Sequence, residues 1–262
     1  MKKVFSIICL FLCIVSCAPK YTVNYDIQPT AEMPPGLANK KIGILLFEDN
    51  RPAIEKTASA GSTVFCGDNS FEKPIIEMLN DLMIKHFNAN MGNNGNVIGI
   101  IQKINEIDIG QQKVDYLLLG VVNHYAVSSH DEHYGIKMAG SVIAGLTAPI
   151  GLILMPFILL GECELKNEIE VVDLYFIQAH EPQILWRGNY KHTASEQLYC
   201  NEINNEKISK SYSNNTQKAI QSIYDNISLS AEIQFPQKTS INDSQKILKY
   251  IQSTGSVLNL NY

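Results

Sequence analysis

The chain has 262 residues, 45% of them hydrophobic, and its 26 acidic and 21 basic side chains leave a net charge of −5. That length suits one large domain or two small ones. The acidic balance gives no basic footprint for nucleic acid and no polybasic segment for anionic lipid, so nucleic acid is excluded as an expected partner.

The chain opens with Lys2 and Lys3, then the apolar run Val4 to Val15. This is a run of secretory-signal length, too short for a comfortable spanning helix. Ile14-Val15-Ser16-Cys17 resembles the lipobox of bacterial lipoproteins: two aliphatic residues, a small residue, then cysteine. The resemblance implies a signal peptide over 1–16, cleavage before Cys17, a diacylglyceryl thioether on its sulfur and an acyl chain, palmitate in kind, on its amino group. Two lipid chains already hold a protein to a membrane stably, at about 0.8 kcal/mol per buried CH₂. Ala18, standing where an acidic retention residue would follow Cys17, points to the periplasmic face of the outer membrane.

Residues 17–40 carry Pro19, Pro29, Pro34 and Pro35 without a period and read as an extended tether. Lys41 to Phe47 is a short apolar run, a buried strand. Ser70 is a candidate helix cap with Pro74 in the first turn, and Ile75, Leu79, Leu82, Met83 and Phe87 follow at helical spacing. Gly92 to Gly95 is a turn, and Val97 to Ile101 a strand. Asp115 to Val122 begins a strand that continues toward Ser128. Ala139 to Gly161 is apolar throughout, without a charge. Beyond it Leu165, Ile169 and Val171 alternate with Lys166, Glu168 and Glu170, a half-buried strand that ends near Gln178. A turn at Glu181-Pro182 leads into a second alternating strand through Ile184, Trp186, Tyr190 and His192. Ile208, Tyr212, Ala219, Ile220, Ile223 and Ile227 form one stripe of a long helix over 206–232. Residues 236–262 read as a mostly polar C-terminal tail. The order predicts an α/β domain over 41–235: a mixed sheet of about five strands, two main helices on one face, and an apolar helical hairpin inserted at 138–161.

Three stretches resemble one broad group of envelope lipoproteins, those with a domain like the TolB amino-terminal domain, curli-secretion-type lipoproteins among them. They are Phe47-x-Asp49-x-Arg51 after the first strand, Asp115-Tyr116 with Gly120 in the next long strand, and Asp173 with Leu185-Trp186 in the hairpin. The resemblance implies binding and assembly in the periplasm, without catalysis and without a cofactor. The turn at Ala179 to Pro182 lacks the group's glycine, and the insert lacks the alternation of its membrane hairpins.

Cys163 and Cys200 are expected to pair, because a hairpin turning at Ala179 to Pro182 places Cys163 opposite residue 198. Cys66–Cys200 is the alternative. His124, His130, Asp131, Glu132 and His133 offer imidazole and carboxylate at short spacing. A metal-dependent envelope hydrolase using the 124–133 loop, with His130 and His133 as ligands, is therefore the second function class, against a solvated polar loop. In the insert, Gly140, Ala144 and Ala148 form a small-residue ridge with Gly145 beside it, suited to close packing of backbones. The expected function is that of a non-catalytic adaptor in an envelope transport or secretion assembly. Its partners would be the membrane, through lipid on Cys17, and an envelope protein or a second copy, through 139–161.

Overall fold

The structure, a computed structural model, describes residues 21–27, 35–57, 67–91, 96–102, 108–130, 162–180 and 183–232. Lys41–Leu45 (β1) is an apolar run whose last four residues are buried, as a strand covered on both faces requires. Glu48–Asp49 (β2) follows at once. Asn96–Ile100 (β3), Tyr116–His130 (β4), Glu162–Gln178 (β5) and Gln183–Tyr199 (β6) complete a six-stranded sheet of order β3-β1-β4-β5-β6, with β2 paired to β4 beyond the end of β1. β1 is parallel to β3 and β4, while β4, β5 and β6 are antiparallel. The helices are the short Ala53–Lys56 (α1), Ile75–Asn90 (α2) and Asn205–Glu232 (α3). The mixed α/β architecture read from the sequence is found. The additional strand, β2, is two residues long and too short to show a period.

Both long helices lie on one face. Ile75, Leu79, Met83 and Phe87 of α2 and Ile208, Tyr212, Ile220 and Ile227 of α3 share one core with Ile44, Leu118, Leu165, Ile169 and Phe176 of the sheet. The sheet's other face is covered in part. Leu45, Leu117, Leu119, Tyr175 and Ile177 form a second, smaller core with Ile109 and Val114. The change happens at a bulge in β5. Val171 faces Tyr190 and Leu174 faces Gly188, so Val172 and Asp173 together oppose Asn189. Before the bulge the odd-numbered residues of β5 face the helices; after it the even-numbered ones do.

Two local expectations are corrected. Ser70 does not cap α2; it ends a 3-10 turn over Asp68–Ser70, and Pro74 occupies the cap position. Asp68 supplies the missing acceptor, its Oδ1 taking the Ile75 N–H at 3.2 Å. Residues 17–40 are also more than a tether. Tyr21, Val23, Tyr25 and Ile27 turn inward and Thr22, Asn24 and Asp26 outward, so this stretch does have a period, of two. Residues 1–20, 131–161 and 233–262 lie outside the described residues, as do the expectations made for them. Among the described residues, no helix is long and apolar enough to cross a membrane.

Candidate interaction site

The Phe47-x-Asp49-x-Arg51 stretch turns the chain from β2 into α1. Arg51 has no exposed side-chain surface and binds Asp49 through Nε at 2.9 Å and Nη2 at 3.0 Å, and Asp68 through Nη2 at 3.0 Å. Burial pushes the Asp49 carboxyl up, but the Arg51 hydrogen bonds and charge, with Lys56 nearby, outweigh it and hold it below its ordinary value. Since Asp68 also receives the first amide of α2, one guanidinium ties the end of β2 to the start of that helix.

The glycine of the second motif meets Phe47 in the sheet. A Cβ on Gly120 would lie 2.9 Å from Leu174 Cδ2 and 3.3 Å from the Phe47 ring, so a side chain here would make Leu174 shift. Asp173 adopts φ 48°, a conformation that Asp tolerates better than most residues, and its N–H donates to Asn189 Oδ1 at 2.9 Å. Burial raises the Asp173 carboxyl, with Arg187 opposing. Asp115 accepts the Lys41 N–H through Oδ2 at 2.8 Å and so fixes the register of β4 on β1. The polar and glycine residues of all three motifs are thus engaged at joints of the fold.

The outward face of the antiparallel half carries a connected row of charges. Glu55 of α1 accepts the Tyr125 N–H through Oε2 at 3.0 Å and lies 2.7 Å from His124 Nδ1 through Oε1. His124 Nε2 is 3.8 Å from Glu170, Lys191 reaches Glu170 at 3.1 Å and Glu168 at 3.6 Å, and Lys166 reaches Glu168 at 3.3 Å. Burial pushes the Glu168 carboxyl up, and Lys166, His124 and Lys191 together pull it below its ordinary value. Five of these six groups come from the sheet, and His124, Glu170 and Lys191 are direct cross-strand neighbours.

On the opposite side, Tyr21 to Ile27 lies along α3. The Thr22 N–H donates to Ser209 Oγ at 3.2 Å and the Asn24 N–H to Ser213 Oγ at 2.9 Å, while the Tyr21 N–H donates to the Ser70 carbonyl at 2.7 Å. Tyr25 Oη is 2.6 Å from Nδ1 of His86, which is fully buried among Phe87, Tyr224 and Tyr25. Asn90 Nδ2 donates to the His86 carbonyl and faces Nε2 at 3.2 Å, so the assigned tautomer has Nδ1–H donating to Tyr25 and Nε2 accepting. Burial lowers the His86 imidazole, with Asp225 opposing. The signal that marks this segment in the sequence is the alternation Tyr-Thr-Val-Asn-Tyr-Asp-Ile, hidden between prolines.

Of the residues singled out in the sequence, Cys163 and Cys200 are joined by a disulfide with Cα atoms 5.0 Å apart, Cys163 standing opposite Leu198. His124 and His130 do not belong to a loop: both lie in β4. Six residues along a strand separate them by ~20 Å, too far for one metal ion. Only the expected loop is thereby corrected, since the expected ligand pair, His130 and His133, includes a residue outside the described ones. Among the described residues no three His, Cys, Asp or Glu side chains gather as a metal site. Cys17, Cys66, His133, Gly140, Ala144, Gly145 and Ala148 lie outside the described residues.

No protein-family model matches the sequence, and no curated protein matches it. Among solved structures, a Xanthomonas campestris protein of the DUF330 family is similar over 83% of this chain and 99% of its own, at 11% identity and a TM-score of 0.48. A Helicobacter pylori homologue of neuraminyllactose-binding hemagglutinin is similar over 88% of this chain and 99% of its own, at 9% identity and a TM-score of 0.40. The Neisseria meningitidis lipoprotein GNA1162 is similar over 72% of this chain and 99% of its own, at 10% identity and a TM-score of 0.25. None of the three is described as a TolB-like or curli-secretion protein. With every TM-score below 0.5, these likenesses assign the chain neither a family nor an activity.

Proposed function

We propose that the chain is an outer-membrane lipoprotein, anchored through lipid on Cys17, whose periplasmic domain serves as a non-catalytic adaptor in an envelope transport or secretion assembly. The anchor rests on the lipobox-like Ile14 to Cys17. The observation that carries the adaptor reading is how the motif residues are used: Asp49, Arg51, Asp115, Gly120 and Asp173 are all spent on joints between strands and helices. The surface left over is a broad sheet face lined by Glu55, His124, Glu170, Lys191, Glu168 and Lys166, whose charges bind one another and are suited to a polar partner surface.

Replacing Cys17 with Ser is expected to release the protein from membranes and block lipid attachment. Retention of the variant in the membrane, at wild-type level and with its leader uncut, sinks the anchor. For the adaptor, a photo-crosslinking residue at Lys166 or Lys191 should yield one dominant envelope-protein adduct in cells, and the same residue at Glu77, on α2, should not. A smear of unrelated adducts from all three positions goes against a dedicated partner.

A further inference from the structure

The N-terminal segment and the two ends of the apolar stretch leave the domain at one end. Along Tyr21 to Tyr25 the contacts move from Ser209 to Ser213 and on to His86 and Tyr224, that is, from the first turns of α3 toward its middle. Read backward, the strap runs toward the N-terminus of α3 as far as Tyr21. That N-terminus follows directly on Tyr199 and the 3-10 turn Cys200–Glu202. Tyr199 pairs with Glu162, and His130 pairs with Glu164. The described chain thus stops at His130 and resumes at Glu162 beside the same helix end. A ring contact closes the argument: Tyr21 lies 6.2 Å from the Tyr212 ring, whose hydroxyl accepts the N–H of Val127, three residues before His130.

Distance decides what this end meets. Tyr21 is 4% exposed and its amide is bound to the Ser70 carbonyl, so the anchored chain has only the steps from Cys17 to Tyr21. Fully extended, these four steps span at most ~14 Å. A lipid on Cys17 therefore holds this end against the headgroups and points the hairpin turn between β5 and β6 away from them.

We propose that the end formed by Tyr199, the 3-10 turn Cys200–Glu202, the first turns of α3 and the His130 and Glu162 exits is a membrane-facing surface, seated on the bilayer that holds the Cys17 lipid. It rests on the lipid-anchor reading above. It gives the uncharged stretch Ala139 to Gly161 an apolar medium within reach, and both of its connections open on the same side, so no strand of the sheet has to cross. Charge does not hold the seat. The charged groups of this end, Glu162, Glu202, Glu206, Lys207 and Lys210, hold no basic excess for anionic lipid. The short link to the Cys17 lipid holds it instead.

The test uses the full lipidated protein in phosphatidylethanolamine–phosphatidylglycerol vesicles, with a fluorescent amino acid placed at Tyr199 or at Arg187, both exposed on β6. These positions are twelve residues and ~40 Å apart along the strand, so a headgroup-attached nitroxide lipid should quench the probe at 199 at least about threefold more than the probe at 187. Equal quenching, or stronger quenching at 187, in protein shown to be bound through Cys17 overturns the proposal. The anchor is scored separately: if mass spectrometry of the membrane-bound protein finds Cys17 without lipid, the lipid-anchor reading falls, whatever the gradient along β6 shows. Circular dichroism of both labelled proteins confirms that neither probe has disturbed the fold.

Discussion

Arg51 sits between carboxylates drawn from two parts of the chain, and no other basic side chain could replace it. A lysine can reach one carboxylate as a point charge but cannot present the fork that holds Asp49 and Asp68 together. Removing one partner of a fully buried ion pair costs about 3–5 kcal/mol; here both carboxylates are roughly a quarter to a third exposed, so Arg51→Lys is expected to cost about 2–3 kcal/mol. Urea unfolding of the Cys17→Ser form measures it, and a cost below about 0.5 kcal/mol would show that the bridge adds little. His86 sets a pH dependence. Its native pKa lies below 6.5, the value taken in the unfolded chain, so on acidification the unfolded state takes up the proton first. Stability is therefore full above pH 6.5 and falls as pH drops from there toward the lowered native value. The charged groups around it are few: Asp225 favours the proton, while Tyr25 and Asn90 are arranged for the neutral ring. His86→Gln, which does not titrate, should flatten the decline between pH 7 and 5. An unchanged decline would place its origin elsewhere.

Among the elements, the β5–β6 hairpin is the longest and is closed at its open end by Cys163–Cys200, residues 37 apart in sequence. Chain entropy alone gives a loop of this size about 3–4 kcal/mol. The paired alanine variant should lose about 2–4 kcal/mol yet keep its far-ultraviolet circular dichroism, because the ladder from Val171 to Gln178 is independent of the bridge. Three free thiols in protein from an oxidising compartment would show that the pair does not form there. This hairpin was also the most legible part of the sequence. Charged residues alternating with Leu165, Ile169 and Val171 give the strand, the stripe from Ile208 to Ile227 gives the helix, and counting back from the turn sets Cys163 opposite residue 198. What was hidden depends on long-range contacts. The Asp49–Arg51 pairing was foreseeable across two residues, but not the share taken by Asp68, 17 residues on. The inward period of Tyr21 to Ile27 was obscured because proline content argued for a tether. The bulge at Asp173 leaves no local mark, since its positive φ is stabilised by Asn189 on another strand.

For the whole molecule, the paired ends of β4 and β5 make the apolar stretch separable. His130 already faces Glu164, so the two strands arrive together without help from what lies between them. Replacing Met138 to Gly161 with a short Gly/Ser linker should leave a domain that unfolds cooperatively, with a slightly favourable change from the shorter closed loop. It should also be more soluble once the lipid is absent. A molten or aggregated product would make the stretch part of the core.

The strap formed by Tyr21 to Ile27 also sets an order of events. Its amides are held by Ser209 and Ser213, partners 187 and 189 residues further along the chain. A chain made N-terminus first can bring Tyr21 and Tyr25 to Ser70 and His86 early, but the Thr22 and Asn24 amides wait for α3. Once α3 arrives, the strap closes and the slack is gone. Chain distance alone thereby makes the closing of the strap a late event, complete only when the domain is.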